Sequence, residues 1–238
     1  YLSVHLQHAG SDIKIWQGKP QAVARRALQE AASSREAAFD RPQDVRFAID
    51  YLLAAPLKLS SMTVNVDPAR IAVAGHSYGA FTALASAGIA FNPFGVTKAN
   101  YGDDRLVASI AMSAGAFRAQ RAEAFDTVAI PTLHMTGTED HGVVADTRVE
   151  ERRNAYDRIR NAPKYLVILD GGDHMIFGGP RRGAAKRTDA RHLAIIKSTT
   201  TAFLDSFVNG DASATAWLAN QLPSIGEGIA LSEQAIPD

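Results

Sequence analysis

No cysteine occurs among the 238 residues. Disulfides, a thiolate nucleophile and a cysteine-based zinc site are therefore excluded, while both a cytoplasmic and an exported location stay open. Net charge is also lacking, because 25 basic residues face 25 acidic ones. That balance gives no electrostatic case for nucleic acid or for an anionic membrane. No apolar run is long enough to span a bilayer. No pair of histidines four apart and no carboxylate cluster argues for a metal, so neither metal nor cofactor is expected. Repeats, low-complexity segments and interdomain linkers are missing too. The chain opens at Tyr1 with no initiator Met and no signal-peptide pattern, which leaves room for a removed leader or further strands ahead of it.

What is present suits a single α/β domain over 1–238, with 46% hydrophobic and 21% charged residues and enough chain for a sizeable core. Leu2 to Leu6 alternates like a strand and ends in the turn His8-Ala9-Gly10-Ser11-Asp12. Pro20 to Arg35 has helical spacing. Asp40 and Pro42 read as the N-cap and first turn of a second helix that stops before Pro56. Ser60 to Pro68 reads as a loop. Apolar strands are expected around Ile71–Ala74, Leu106–Ser113, Thr132–Thr136 and Tyr165–Leu169. They are separated by a loop at Phe91–Arg105 and a charged helix at Thr147–Arg160. A glycine- and arginine-rich loop, Asp173 to Asp189, leads to a strong helix at Ala190–Val208 with Gly210 as its stop. A short helix near Ala214–Leu222 and a loose tail close the chain. Strands apolar throughout and alternating with helices imply a mostly parallel sheet covered on both faces.

One stretch organises the rest. Gly75-His76-Ser77-Tyr78-Gly79 fits G-x-S-x-G, preceded by apolar Ile71-Ala72-Val73-Ala74 and followed by a small-residue helix. Strand, tight turn and helix in that order form a nucleophile elbow, which lifts the Ser77 hydroxyl above the sheet end and turns the Tyr78 amide into the same space. Side chains at 75 or 79 are expected to collide with the neighbouring backbone.

A serine hydroxyl needs a base, and the base needs an orienting carboxylate. In such sheets these groups sit on loops after the C-terminal strand ends. His174 follows the last apolar strand and alone comes last in the order serine, acid, histidine. His5 and His134 read as packing residues inside strands. His76 is expected to point away from Ser77, His192 lies on the last helix, and His141 comes early for the base. The acid should come from Gly137-Thr138-Glu139-Asp140, where Asp140 is preferred over Glu139, with Asp146 next. Asp173 sits too close to His174 to orient its ring and reads as a loop-shaping residue. The oxyanion requires donors, for which the amides of Tyr78 and Ser11 are the candidates, with Ala9 and Gly10 behind Ser11. The basic cluster Arg181, Arg182, Lys186, Arg187 and Arg191 reads as a solvated surface, with an anionic-substrate contact as the sharper alternative.

On these segments the chain resembles the α/β-hydrolase superfamily, and within it the dienelactone-hydrolase-like and platelet-activating-factor-acetylhydrolase-like serine esterases. The resemblance covers nearly the whole chain and rests on His8 to Asp12, Asp40 to Val45, Gly75 to Ala80, Thr136 to Asp140 and Gly172 to His174. It implies an α/β-hydrolase fold and a triad of Ser77, Asp140 and His174, while the short connections at Ala114–Ile130 and Phe91–Arg105 leave no large lid domain to be expected. Dienelactone hydrolases use a cysteine nucleophile, so the lactone substrate does not carry over. The family's leading antiparallel strands are not found here, which leaves the sheet shorter at one edge or the chain truncated. The expected activity is cleavage of small carboxylic esters through an acyl-enzyme. The alternatives are a serine peptidase of prolyl-oligopeptidase type and a non-catalytic binding protein of the same fold.

Overall fold

A computed structural model of the chain describes residues 1–10, 12–92, 100–142, 144, 146–178, 189–226 and 230–237. Its centre is a sheet whose strands follow chain order, which places successive C-terminal ends side by side. The first half supplies helices α1 (Gln21–Ser33) and α2 (Arg35–Ala54) and a small hairpin of β1 (Leu57–Leu59) and β2 (Met62–Val64). The five-stranded sheet is β3 (Ile71–His76), β4 (Leu106–Met112), β5 (Thr132–Glu139), β6 (Lys164–Asp173) and β7 (Ala230–Ala235), in that spatial order. Strands β3 to β6 are parallel, and β7 is antiparallel to β6. Helix α3 (Tyr78–Ser86) joins β3 to β4, α4 (Asn154–Arg158) precedes β6, and α5 (Asp189–Phe207) and α6 (Ala212–Asn220) lie between β6 and β7. The fold class is thus α/β, a mostly parallel sheet flanked by helices.

Strand alternation sends side chains to two cores. On one face, Ala80 and Leu84 of α3 pack with Ala111, Phe117, Phe125 and Ile159. Val45 and Ile49 of α2 meet Leu106 nearby, with Ile71 and Val73 half-buried against them. On the other face, Ile110, Leu133, Met135 and Val167 pack under Ile195 and Phe203 of α5 and Leu218 of α6.

Several expectations are corrected. Residues 1–8 form no strand, and Leu2, Val4 and Leu6 are exposed. An alternating pattern makes a strand only where a partner satisfies its amides. His5 is accordingly an exposed residue beside Ser3, not a packing residue in a strand. Helix α2 begins at Arg35, with the Ser34 hydroxyl accepting from the Ala37 amide at 3.0 Å, so Pro42 lies inside the helix. The extra turns are held because Ala38 and Phe39 pack against Phe81, Phe91 and Tyr101. Tertiary burial there outweighs the local tendency of proline to mark a helix start. The Ser60–Pro68 segment contains β2, paired with β1 across a turn that holds Ser60 at φ 53°. The tail contains β7, whose Ala-Ser-Glu-Gln composition carries little strand propensity. It is held by its ladder to β6 and by Arg153, which donates from Nη1 and Nη2 to the Glu233 carboxylate at 2.9 and 2.8 Å.

Phe203 is fully buried, whereas Phe47 on α2 is 71% exposed. Phe203→Ala is expected to lower stability by about 3–5 kcal/mol, and Phe47→Ala by less than about 0.5 kcal/mol. Urea denaturation of the two variants would check this; similar losses would mean that the core has been drawn on the wrong face of the molecule.

Candidate active site

The site begins with a backbone constraint. Ser77 lies between β3 and α3 at φ 58° and ψ −115°, a left-handed conformation that a side chain adopts only at a cost. Its amide donates to the Met112 carbonyl at 2.9 Å, while its own carbonyl accepts from the Ala80 and Phe81 amides and starts the helix. The bend brings Gly75 against Gly79: a Cβ on Gly75 would overlap the Gly79 carbonyl and lie 2.8 Å from the Ala80 nitrogen. The glycine after the serine is not equivalent, since a Cβ on Gly79 would meet nothing within 4 Å. The expected collision at 79 is therefore absent.

The turn presents the Ser77 hydroxyl to His174. Ser77 Oγ lies 2.9 Å from His174 Nε2, and His174 Nδ1 lies 2.8 Å from Asp140 Oδ1. These three residues come from the ends of β3, β5 and β6; β5 and β6 are paired, with Glu139 opposite Asp173, and β4 separates β5 from β3. With Asp140 ionised, Nδ1 carries the ring proton and donates it to Oδ1, leaving the Nε2 lone pair for the serine proton. Asp173 shapes the turn beyond the histidine, its Oδ1 accepting from the Met175 amide at 3.0 Å. Glu139 is exposed, and so is Asp146, whose carbonyl accepts from Arg118. Neither stands where Asp140 stands.

Asp140 has no exposed surface. Burial pushes its carboxyl up, but hydrogen bonding by His174 and Ser113, the charge of Arg152 and the Thr136 hydroxyl outweigh that and hold it below the usual carboxylate range. Thr136 Oγ1 donates to Oδ2 at 2.8 Å. The Ser113 hydroxyl faces the same carboxylate, in a geometry short of a full hydrogen bond.

Nothing in the sequence singles out Arg152. It reads there as one more charge on a surface helix, yet its side chain is 4% exposed and lies 3.2 Å from Asp140 Oδ1. The segment that carries it is a 3-10 turn, Val149–Arg153, rather than a regular surface helix. A charged residue at helical spacing gives no sign that its turn is tucked under a strand end, so only the fold could find it.

His76 also departs from expectation. Its ring does not point away but lies 4.7 Å from the His174 ring, centroid to centroid. Burial, then the neighbouring His174, pushes its pKa down to about 4, so it is neutral near pH 7. His134 is buried within β5, with its pKa pushed down to about 3 by burial and by Lys164. His192 is buried in α5, and His141 is exposed.

The Tyr78 amide opens α3, where a first-turn N–H has no acceptor within the helix and the helix dipole is positive. Arg41 holds this residue from the other side. Its guanidinium carbon sits 4.4 Å from the centre of the Tyr78 ring, and its Nε donates to Thr82 Oγ1 at 2.8 Å. Ser11 lies outside the described residues, as do Arg181, Arg182, Lys186 and Arg187; Arg191 is exposed on α5. His8 is buried and lies 2.7 Å from Asp44 Oδ2.

A cavity of about 240 Å³ opens over Ser77 and His174, walled by Tyr78, Phe81, Gly115, Val144 and Thr147. Ala32 of α1 and Ala38 of α2 line one side, and Gln29 of α1 donates to the Val144 carbonyl at 3.3 Å. A larger cavity of about 630 Å³ runs along β3 and α2 and touches neither Ser77 nor His174. Among the described residues no group of three or more histidine, aspartate or glutamate side chains could hold a metal ion. No helix there is long and apolar enough to cross a membrane. Comparison with protein-family models and with curated proteins gives no match.

The two glycines make a paired test. Gly75→Ala is expected to cost at least about 3 kcal/mol, because backbone must move. Gly79→Ala should leave stability within about 1 kcal/mol of wild type, or raise it, since alanine favours the helix. Thermal or chemical melts decide; equal costs at both positions would contradict the elbow geometry.

Proposed function

We propose that this chain is a serine hydrolase of α/β-hydrolase fold that cleaves carboxylic esters through an acyl-enzyme. The reading is carried by one observation, the relay from Ser77 Oγ to His174 Nε2 at 2.9 Å and from His174 Nδ1 to Asp140 Oδ1 at 2.8 Å. Ser77 attacks the ester carbonyl carbon while His174 Nε2 takes its proton. Asp140 stabilises the imidazolium and keeps Nδ1 protonated. The oxyanion faces the Tyr78 amide at the positive end of α3. Ser11 is the second donor in this reading. Collapse of the intermediate expels the alcohol, which takes the proton from Nε2–H. Water then attacks the acyl-enzyme with His174 again as base, and the carboxylic acid departs. No cofactor is needed for this chemistry. The chain's resemblance to dienelactone-hydrolase-like and platelet-activating-factor-acetylhydrolase-like esterases supports the same assignment.

Fluorophosphonate labelling and ester turnover test the reading together. Wild type should be labelled at Ser77, and Ser77→Ala should lose both label and activity while staying folded. Its kcat should fall by about 10⁴ to 10⁶. Asp140→Asn should lose on the order of 10⁴ in kcat, with Glu139→Gln near wild type. A folded Ser77→Ala variant that kept a tenth of the activity would end the proposal.

The acyl side should be short. The cavity holds about 240 Å³, below the usual range of about 300–1,000 Å³ for sites that engulf a larger ligand. A methylene gains up to about 0.8 kcal/mol only when buried, so binding should stop improving once the chain reaches the rim. The kcat/KM for p-nitrophenyl esters is expected to peak roughly between acetate and hexanoate, without a jump at a lipid interface. Maximal activity on palmitate, or activation by micelles, would show that the site opens far beyond this cavity.

A further inference from the structure

We propose that Arg152 is a positioning residue for the Asp140–His174 pair: its buried guanidinium aims the carboxylate and opposes proton uptake by the pair, setting the low-pH edge of activity. The inference rests on the hydrolase reading only for that last step. The geometry stands apart from it.

Arg152 distributes its donors over two strand ends. Its Nε donates to the Asp140 carbonyl at 3.0 Å, and Nη1 donates to the Ser113 and Ala114 carbonyls at 2.8 and 3.0 Å. Its Nη2 lies 3.2 Å from Asp140 Oδ1 and 3.3 Å from His174 Nδ1. One side chain therefore ties the loop after β5 to the turn after β4. Ser113 is itself held at φ 53°, a conformation that persists only when its surroundings enforce it. Lysine has no planar fork and could not serve these acceptors together.

The charge has a second effect. Oδ1 accepts from His174 and also faces Arg152, so the histidine sees a carboxylate already partly neutralised. A cation this close disfavours a second positive charge on the imidazole. It equally disfavours a proton on Asp140. Whichever group receives the proton, the pair holds it less readily with Arg152 present, and the sign does not depend on assigning the proton to one residue.

The other titratable groups around the pair do not reverse this. His76, whose ring packs against that of His174, is pushed down by burial and stays neutral. Glu151, next to Arg152, is occupied by Arg118, whose Nε donates to its carboxylate at 2.6 Å, and by the Arg148 amide at 2.9 Å. Burial lowers the Arg152 pKa while the charges of Asp140 and Glu151 oppose the change, and a guanidinium stays charged at any working pH.

The test is an NMR titration of protein with isotope-labelled histidine, the His174 signal being identified by its loss in His174→Gln. Arg152→Met should raise the pH midpoint of proton uptake by about one unit. Arg152→Lys keeps the charge and should stay within about 0.3 unit of wild type. It should nonetheless lose about tenfold in kcat on a short ester, through misplacement of the pair. The acid limb of kcat/KM should move with the NMR midpoint in each variant. A folded Arg152→Met with an unmoved midpoint, or a Lys variant shifted by a full unit, would overturn the inference. The Lys arm decides alone if the Met variant does not fold. Should wild type turn over no ester while the midpoints move as expected, the hydrolase reading and the activity edge fall together, and the hold of Arg152 on the pair stands.

Discussion

A carboxylate with no exposed surface is the constraint on which the upper edge of the sheet depends. Asp140 has lost all contact with water, and an unpaired charge there would be prohibitively costly. His174 from beyond β6, Thr136 from within β5 and Arg152 from the turn before α4 meet its two oxygens. Satisfying this one group fixes the loops after β5 and β6 relative to each other. Through the carbonyls that Arg152 also reaches, it fixes the end of β4. The arrangement that answers an electrostatic demand of folding is the same one that hands a lone pair to Ser77.

The second organising feature is strain, placed at two adjacent strand ends. Ser77 closes β3 and Ser113 closes β4, both at positive φ without being glycine. Each is anchored through its amide to the next strand along: Ser77 to the Met112 carbonyl and Ser113 to the Met135 carbonyl. The parallel ladder thus carries the cost of the bends, and the two cores beneath it hold the ladder in place. Positive φ at a side-chain-bearing residue is expected where surrounding packing over-determines the backbone. At Ser77 and Ser113 it coincides with residues that line the smaller cavity.

Much of this architecture is legible in the residues. Ile71 to Ala74, Leu106 to Ser113, Thr132 to Thr136 and Tyr165 to Leu169 are apolar almost throughout, the composition of strands in a parallel sheet covered on both faces. All four lie in the parallel part of the sheet, the first of them at its edge. The Gly-x-Ser-x-Gly turn is legible for a steric reason, because Gly75 is a position where backbone meets backbone and no side chain fits. The segments misread are those whose pattern is weak or whose outcome depends on a distant partner. Residues 2–6 alternate but find no neighbour, the Ala-Ser-Glu-Gln tail lacks propensity but finds β6, and Pro42 imitates a helix start that tertiary packing overrides.

The residues along the chain are enough to set the alternation of strands and helices, the place of Ser77 on a forced turn and the short roster of groups at strand ends. These follow from local sterics and from hydrophobic periodicity, which act over a few residues. That Asp140 rather than Glu139 meets His174 is settled by the fold, because adjacent side chains diverge and a one-residue choice depends on how β5 ends. Only the fold turned His76 toward His174 and brought Arg152 against the Asp140 carboxylate. Both are charge-bearing or polar residues whose type says nothing about burial. Their roles arise from contacts that span 98 residues in one case and 12 in the other, and no local pattern encodes a contact across such a distance.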